Sequence, residues 1–127
     1  MLQINDLHVH YGGIHAVKGV SLSIPRGSVV TLIGANGAGK SSIVDIAGLV
    51  KGASGEILLT RHEGDKPVNL LGMPAENMVR NGIALSPEGR RILPHLTVEE
   101  NLTLGAWCRK DEDGIARDME LVYNLFP

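Results

Sequence analysis

Residues Gly34-Ala35-Asn36-Gly37-Ala38-Gly39-Lys40-Ser41 fit the pattern GxxxxGKS, and no other stretch of this chain restricts its fold as strongly. The preceding run Val29-Val30-Thr31-Leu32-Ile33 is apolar on both faces and rich in β-branched residues, as in a strand buried in the middle of a sheet. Behind the loop, Ile43, Val44, Ile46, Ala47 and Val50 have the spacing of a helix that starts at Lys40 and ends near Gly52. Strand, glycine-rich loop and helix in this order form the context in which such a loop cradles phosphate. Gly34, Gly37 and Gly39 let the backbone bend around an anion, so that consecutive amides, Asn36 and Ala38 among them, point at it. The positive end of the helix adds to this attraction. Lys40 is expected to reach the β and γ phosphates and the Ser41 hydroxyl to coordinate Mg²⁺, with Ser42 as a further contact. The bound species is then ATP with Mg²⁺.

The rest of the chain reads as one α/β domain around this loop. Leu2, Ile4, Leu7 and Val9 lie among polar residues in partial alternation, Val17, Val20, Leu22 and Ile24 follow after Gly12-Gly13, and the two runs predict two antiparallel strands. Pro25-Arg26-Gly27 marks a turn. Glu56 to Leu59 predicts a short strand, Thr60 to Asn69 a polar loop, and Pro74 to Asn81 a short helix capped by Gly82. Ile83-Ala84-Leu85 predicts a return to strand. Thr97 followed by Glu100 is a capping box before a helix from about Val98 to Trp107, and Ile115, Met119, Val122 and Leu125 mark a last helix.

Composition removes several classes of function. Twelve Lys and Arg against 14 Asp and Glu leave a net charge of -2, which gives no broad attraction for nucleic acid, and no nucleic-acid partner is expected. The longest apolar stretches fall far short of the roughly 18 residues of a membrane span, so no direct membrane insertion is expected. A single cysteine, Cys108, excludes an internal disulfide, and the N-terminus lacks the pattern of a secretory signal; both fit the cytoplasm. His8, His10, His15, His62 and His95 are scattered without metal-ligand spacing, so no protein metal site is expected. Arg90 and Arg91 read as a solvated face.

Over nearly its whole length the chain resembles the ATP-binding subunits of ABC transporters, and most of all those of bacterial branched-chain amino acid importers. The resemblance rests on Tyr11-Gly12-Gly13, Val17-Lys18-Gly19-Val20-Ser21-Leu22, the loop from Gly34 to Ser42, Ser86-Pro87-Glu88-Gly89-Arg90-Arg91, and Leu96-Thr97-Val98-Glu99-Glu100-Asn101-Leu102. It implies a P-loop NTPase of the ABC ATPase type, with an N-terminal antiparallel β subdomain and a parallel core sheet flanked by helices. The implied divisions are about 1–33 for the β subdomain, 34–50 for the loop and its helix, and 55–127 for the core and the start of the helical subdomain.

By the same resemblance Tyr11 stacks on adenine, where an aromatic face gives affinity with little base specificity. Val17 is open between the adenine pocket and the core. Most such ATPases carry glutamine where this chain has Glu88; a carboxylate oxygen can also ligate Mg²⁺ and meet the attacking water, so Glu88 and Lys40 are the catalytic candidates.

The family's LSGGQ signature, Mg²⁺-binding aspartate, catalytic glutamate and switch histidine have no counterpart in these 127 residues. The resemblance therefore implies a partial nucleotide-binding domain that binds ATP and hydrolyses it poorly by itself, since phosphoryl transfer depends on a completely positioned site. The implied partners are membrane-spanning permease subunits and a second ATPase subunit, identical or different, with the protein peripheral on the inner face of the cell membrane. An uncovered sheet edge further implies that the isolated chain self-associates. A soluble ABC ATPase without a transporter and a non-catalytic nucleotide-binding module are the alternatives. A small nucleotide kinase or GTPase would need acceptor or base motifs that are missing downstream.

Overall fold

In the computed structural model the described residues are 1–45, 52–87, 89 and 91–127. The chain divides into two compact units, Met1–Leu85 and Ser86–Pro127.

The first unit grows from a hairpin of β1 (Leu2–Tyr11) and β2 (Ile14–Ile24), paired antiparallel on either side of Gly12-Gly13. Simple alternation cannot bury Ile4, Leu7 and Val9 together, because Ile4 and Leu7 have opposite parity along the strand. An interruption in pairing between Ile4 and Leu7 solves this, with Asp6 in the left-handed region at φ 46°. The inserted residue bends the strand and returns Leu7 and Val9 to the face of Ile4. All three are buried, Leu7 and Val9 completely.

β3 (Ala53–Leu59) pairs antiparallel with the other edge of β1 and shows the matching interruption between Asn5 and His8. Gly55 faces the bulge at φ 112°, where a Cβ would come within 2.5 Å of the Asp6 carbonyl oxygen. Only glycine accepts both the angle and the approach. The two-residue β4 (Val68–Asn69) completes the sheet, in the order β2-β1-β3-β4. Leu70 and Met78 close the core over it, Met78 from α2 (Ala75–Arg80), and Ile43 of α1 (Lys40–Asp45) packs against the same cluster.

The hairpin, the strand at 56–59, the helix near 75–80 and both C-terminal helices lie where the sequence places them. The expected helix after the loop is described only as far as Asp45, and its remainder lies outside the described residues.

Two strand expectations are corrected. Val29–Ile33 and Ile83–Leu85 form no ladder, and Val29 and Ile33 are 96% and 93% exposed rather than buried. A strand requires a partner for its backbone groups, and all ladders among the described residues are antiparallel ones made by β1 to β4.

In the second unit, Thr97 starts α3 (Val98–Gly105): its hydroxyl accepts from the Glu100 amide, and the Glu100 carboxylate accepts from the Thr97 amide at 2.8 Å. The bond from the Thr97 amide first, then that from the Thr97 hydroxyl, which donates to the same carboxylate at 2.9 Å, hold the Glu100 carboxyl below its ordinary value. Asn101 fastens the preceding segment, accepting from the Leu93 amide and donating to the Leu93 and Leu96 carbonyls. Between α3 and α4 (Glu112–Leu125), Arg109 grips Asp111 through two bonds of 2.9 and 2.6 Å and also reaches Asp118 on α4. This pairing pulls the Asp111 carboxyl down to about 2.

Gly55→Ala is expected to lower the urea-unfolding free energy of the first unit by more than about 1 kcal/mol, because both backbone angle and space oppose a Cβ. Thr97→Ala should cost about 1 kcal/mol of helix stability, read by circular dichroism during urea unfolding. Because the folded Glu100 has the lower pKa, its contribution is complete above the unfolded value of 4.5 and fades as pH falls below it.

Candidate functional site

The loop at Gly34–Ser41 is shaped by its own backbone. The Ala38 amide donates to the Ala35 carbonyl at 3.1 Å, closing a turn, and the Ile43 amide donates to the Gly39 carbonyl at 3.0 Å, starting α1. Gly37 and Gly39 both stand at φ 83°, a region that side chains resist. Gly39 carries a second constraint. A Cβ there would lie 2.9 Å from the Ala16 carbonyl oxygen and 3.0 Å from a Val17 methyl. The loop is thus pressed onto β2, and only the absence of a side chain permits the contact.

Lys40 folds back over the loop. Its Nζ donates to the Gly34 and Ala35 carbonyls, both at 2.7 Å, so the ammonium is held beside the turn it belongs to. An ammonium has three donors, and these two bonds leave one for an incoming anion. Gly34, Asn36, Gly37, Ala38 and Ser41 are exposed, while Gly39, Lys40 and Ser42 are half-buried. The surface is therefore open, backbone-lined and positively charged, as a phosphate group requires. These residues fit ATP with Mg²⁺: the ammonium and free amides suit phosphate oxygens, and an exposed serine hydroxyl follows at once.

Tyr11 ends β1 opposite Ile14 at the tip of the hairpin and is 45% exposed. Val17 lies one turn of the same hairpin away and is 3% exposed, in the core cluster. Its side chain is a packing surface for Gly39, which resolves its two readings in favour of the core. One hairpin therefore carries both the exposed ring and the seat of the loop. Glu88 and Arg90 lie outside the described residues; Arg91 is exposed.

Two features escaped the sequence. The seat formed by Ala16 has no motif, because it uses a carbonyl oxygen. The histidines, scattered in sequence, are partly gathered: His10 and His15 stack with centroids 3.9 Å apart, and His8 Nδ1 lies 3.0 Å from His15 Nε2. Equal distances of His10 and His15 from the Gly12-Gly13 turn were the available signal. Among the described residues no group of three His, Cys, Asp or Glu is arranged to hold a metal ion.

The chain thus joins an antiparallel sheet, a glycine-rich loop seated on it and a helix behind the loop, and residues 17–125 match the family described as ABC transporter. The chain belongs to that family. It is 43% identical over 128 residues to the high-affinity branched-chain amino acid transport ATP-binding protein BraG of Pseudomonas aeruginosa, covering 100% of this chain and 52% of BraG. It is 34% identical over 123 residues to the Fe(3+) ions import ATP-binding protein FbpC of Mesorhizobium japonicum, covering 96% of this chain and 32% of FbpC. The chain thus spans about half the length of BraG and a third of FbpC. A crystal structure of a nucleotide-free ATP-binding cassette from an ABC transporter shares the fold, with a TM-score of 0.62 and 20% identity over 96% of this chain and 52% of that one.

Gly37→Ala and Gly39→Ala share the same backbone angle, but a Cβ at Gly37 meets nothing within 4 Å. The Gly39 variant is therefore expected to unfold at lower urea, by about 1 to 3 kcal/mol more than the Gly37 variant, the usual cost of overpacking.

Proposed function

We propose that this chain is the ATP-binding part of the energy-coupling subunit of an ABC importer, and that the importer carries branched-chain amino acids. The observation that carries the reading is the Gly34–Ser41 loop seated on β2 with the Lys40 ammonium held over it at 2.7 Å. Support for the solute comes from BraG, whose 43% identity exceeds the 34% shared with the iron importer subunit.

In this reading the amides of Asn36, Gly37, Gly39 and Lys40 hold the β and γ phosphates, while the Ala38 amide, bonded to the Ala35 carbonyl, shapes the turn. Lys40 gives its remaining donor to a phosphate oxygen, which keeps the positive charge where negative charge gathers during transfer. Tyr11 offers its ring to adenine. Ser41 holds Mg²⁺, which when bound supplies charge neutralisation across the phosphates. Glu88 is proposed as the second Mg²⁺ contact and as the group that orients the attacking water, in place of the glutamine more usual in the family.

Among the described residues no helix is long and apolar enough to cross a membrane. Coupling is therefore proposed to run through permease subunits at the inner face of the membrane and through a second ATPase subunit. Self-association of the isolated chain is proposed to cover the run holding Val29, Val30 and Ile33, which are 96%, 43% and 93% exposed and form no ladder.

Calorimetric titration with Mg-ATP tests the reading. Saturable binding is expected, with at least about a ten-fold loss in Lys40→Ala, equivalent to about 1.4 kcal/mol, and little phosphate release by either protein. Equal binding by both proteins, or none by the folded parent chain, would overturn it.

A further inference from the structure

We propose that the tip of the β1–β2 hairpin is a proton-sensitive element: protonation of the packed imidazoles of His8, His10 and His15 loosens the last rungs of the hairpin and releases the Tyr11 ring from its base-binding position. The part concerning Tyr11 rests on the nucleotide reading; the loosening itself does not.

The three rings come from both strands. His10 and His15 are direct cross-strand partners, stacked at 3.9 Å and 17°, and theirs is the rung next to the terminal pair of Tyr11 and Ile14. His8 also stacks on His15, at 5.1 Å and 29°, and shares a short nitrogen contact with it, which requires one of the two nitrogens to lack a proton. Neutral imidazoles can therefore stack and bond, whereas a second or third proton places like charges in contact.

Little on the neighbouring elements compensates for such charge. On β1, Asp6 meets only His8, at 3.2 Å, and is itself well exposed. On β2, Lys18 pairs with His8 and adds a positive charge. On β3 the partners of His8 and Val9 are Ser54 and Ala53, and the carboxylate of Glu56 is directed to Asn5, below the bulge. The His10 amide donates to the Gly52 carbonyl at 3.1 Å, the one described bond that ties this rung to the segment before β3.

His15 carries the signature of this crowding: desolvation in the stack first, then the charges of His10, His8 and Lys18, push it below its ordinary value. Since the folded state is the poorer base, its stabilising share is complete above the unfolded value of 6.5 and is lost as pH falls below it.

The test compares the parent chain with His15→Gln and with His10→Gln/His15→Gln, at about pH 8 and about pH 5.5, on either side of the range in which histidine titrates. Circular dichroism at the higher pH first verifies that each variant is folded. Amide exchange at His10, Tyr11, Ile14 and residue 15, corrected for intrinsic rates, reads the loosening directly. Protection in the parent chain is expected to fall at least about three-fold more at the tip than at Leu2 to Ile4 on acidification, and to change evenly in the variants. Equal protection at tip and base at both pH values, or the same loss in the variants, would overturn the proposal.

The second arm compares ATP with inorganic tripolyphosphate, which lacks a base. The advantage of ATP should shrink at least about three-fold at low pH in the parent chain only, a change measurable as a ratio of affinities. Tip loosening with an unchanged ATP advantage would overturn the link to Tyr11. Failure of both ligands to bind at the higher pH would instead overturn the nucleotide reading, with the exchange result standing on its own.

Discussion

The contact between the backbone of Gly39 and the Ala16–Val17 stretch of β2 is the constraint on which the placement of the glycine-rich loop depends. It holds the glycine-rich loop against the sheet whose buried residues include Leu7, Val9 and Val17. The same strand returns through the Gly12-Gly13 turn to Tyr11, which places an exposed aromatic ring and a charged loop on one short piece of antiparallel structure. The contact in turn requires that β1 present Leu7 and Val9 inward, and this happens only because Asp6 takes the left-handed backbone of a bulge opposite Gly55. Loop, hairpin and bulge are therefore one mechanical unit.

The run from Val29 to Ile33 behaves differently. It has the composition of a central strand, yet it stands exposed and without a ladder. Parallel strands are stabilised by neighbours on both edges and by helices on both faces, and among the described residues none supplies either. The antiparallel sheet, by contrast, obtains every partner from within Met1–Leu85.

Much of this was readable in the amino-acid order because the interactions are local. The capping box of Thr97 and Glu100 spans three residues and is present as the pattern implies. The alternation on either side of Gly12-Gly13 predicts the hairpin, and the GxxxxGKS pattern predicts a loop whose conformation glycine alone permits. The broken parity between Ile4 and Leu7 marks an irregularity in the strand, but not that Asp6 takes the left-handed backbone or that Gly55 faces it. The gathering of His8, His10 and His15 was not legible, because it depends on the register that the bulge and turn impose.

By itself, then, the sequence determined the elements whose stabilising groups lie within a few residues: turns, caps, the amphipathic strands and helices, and the glycine-built loop. The tertiary structure alone decided which residues face one another across strands. It seated Gly39 on Ala16, assigned Val17 to the core, stacked the histidines, and left Val29 and Ile33 uncovered. The physical reason is that burial and strand pairing are properties of partners distant in the chain, and a run of residues carries its own propensity but not its neighbours.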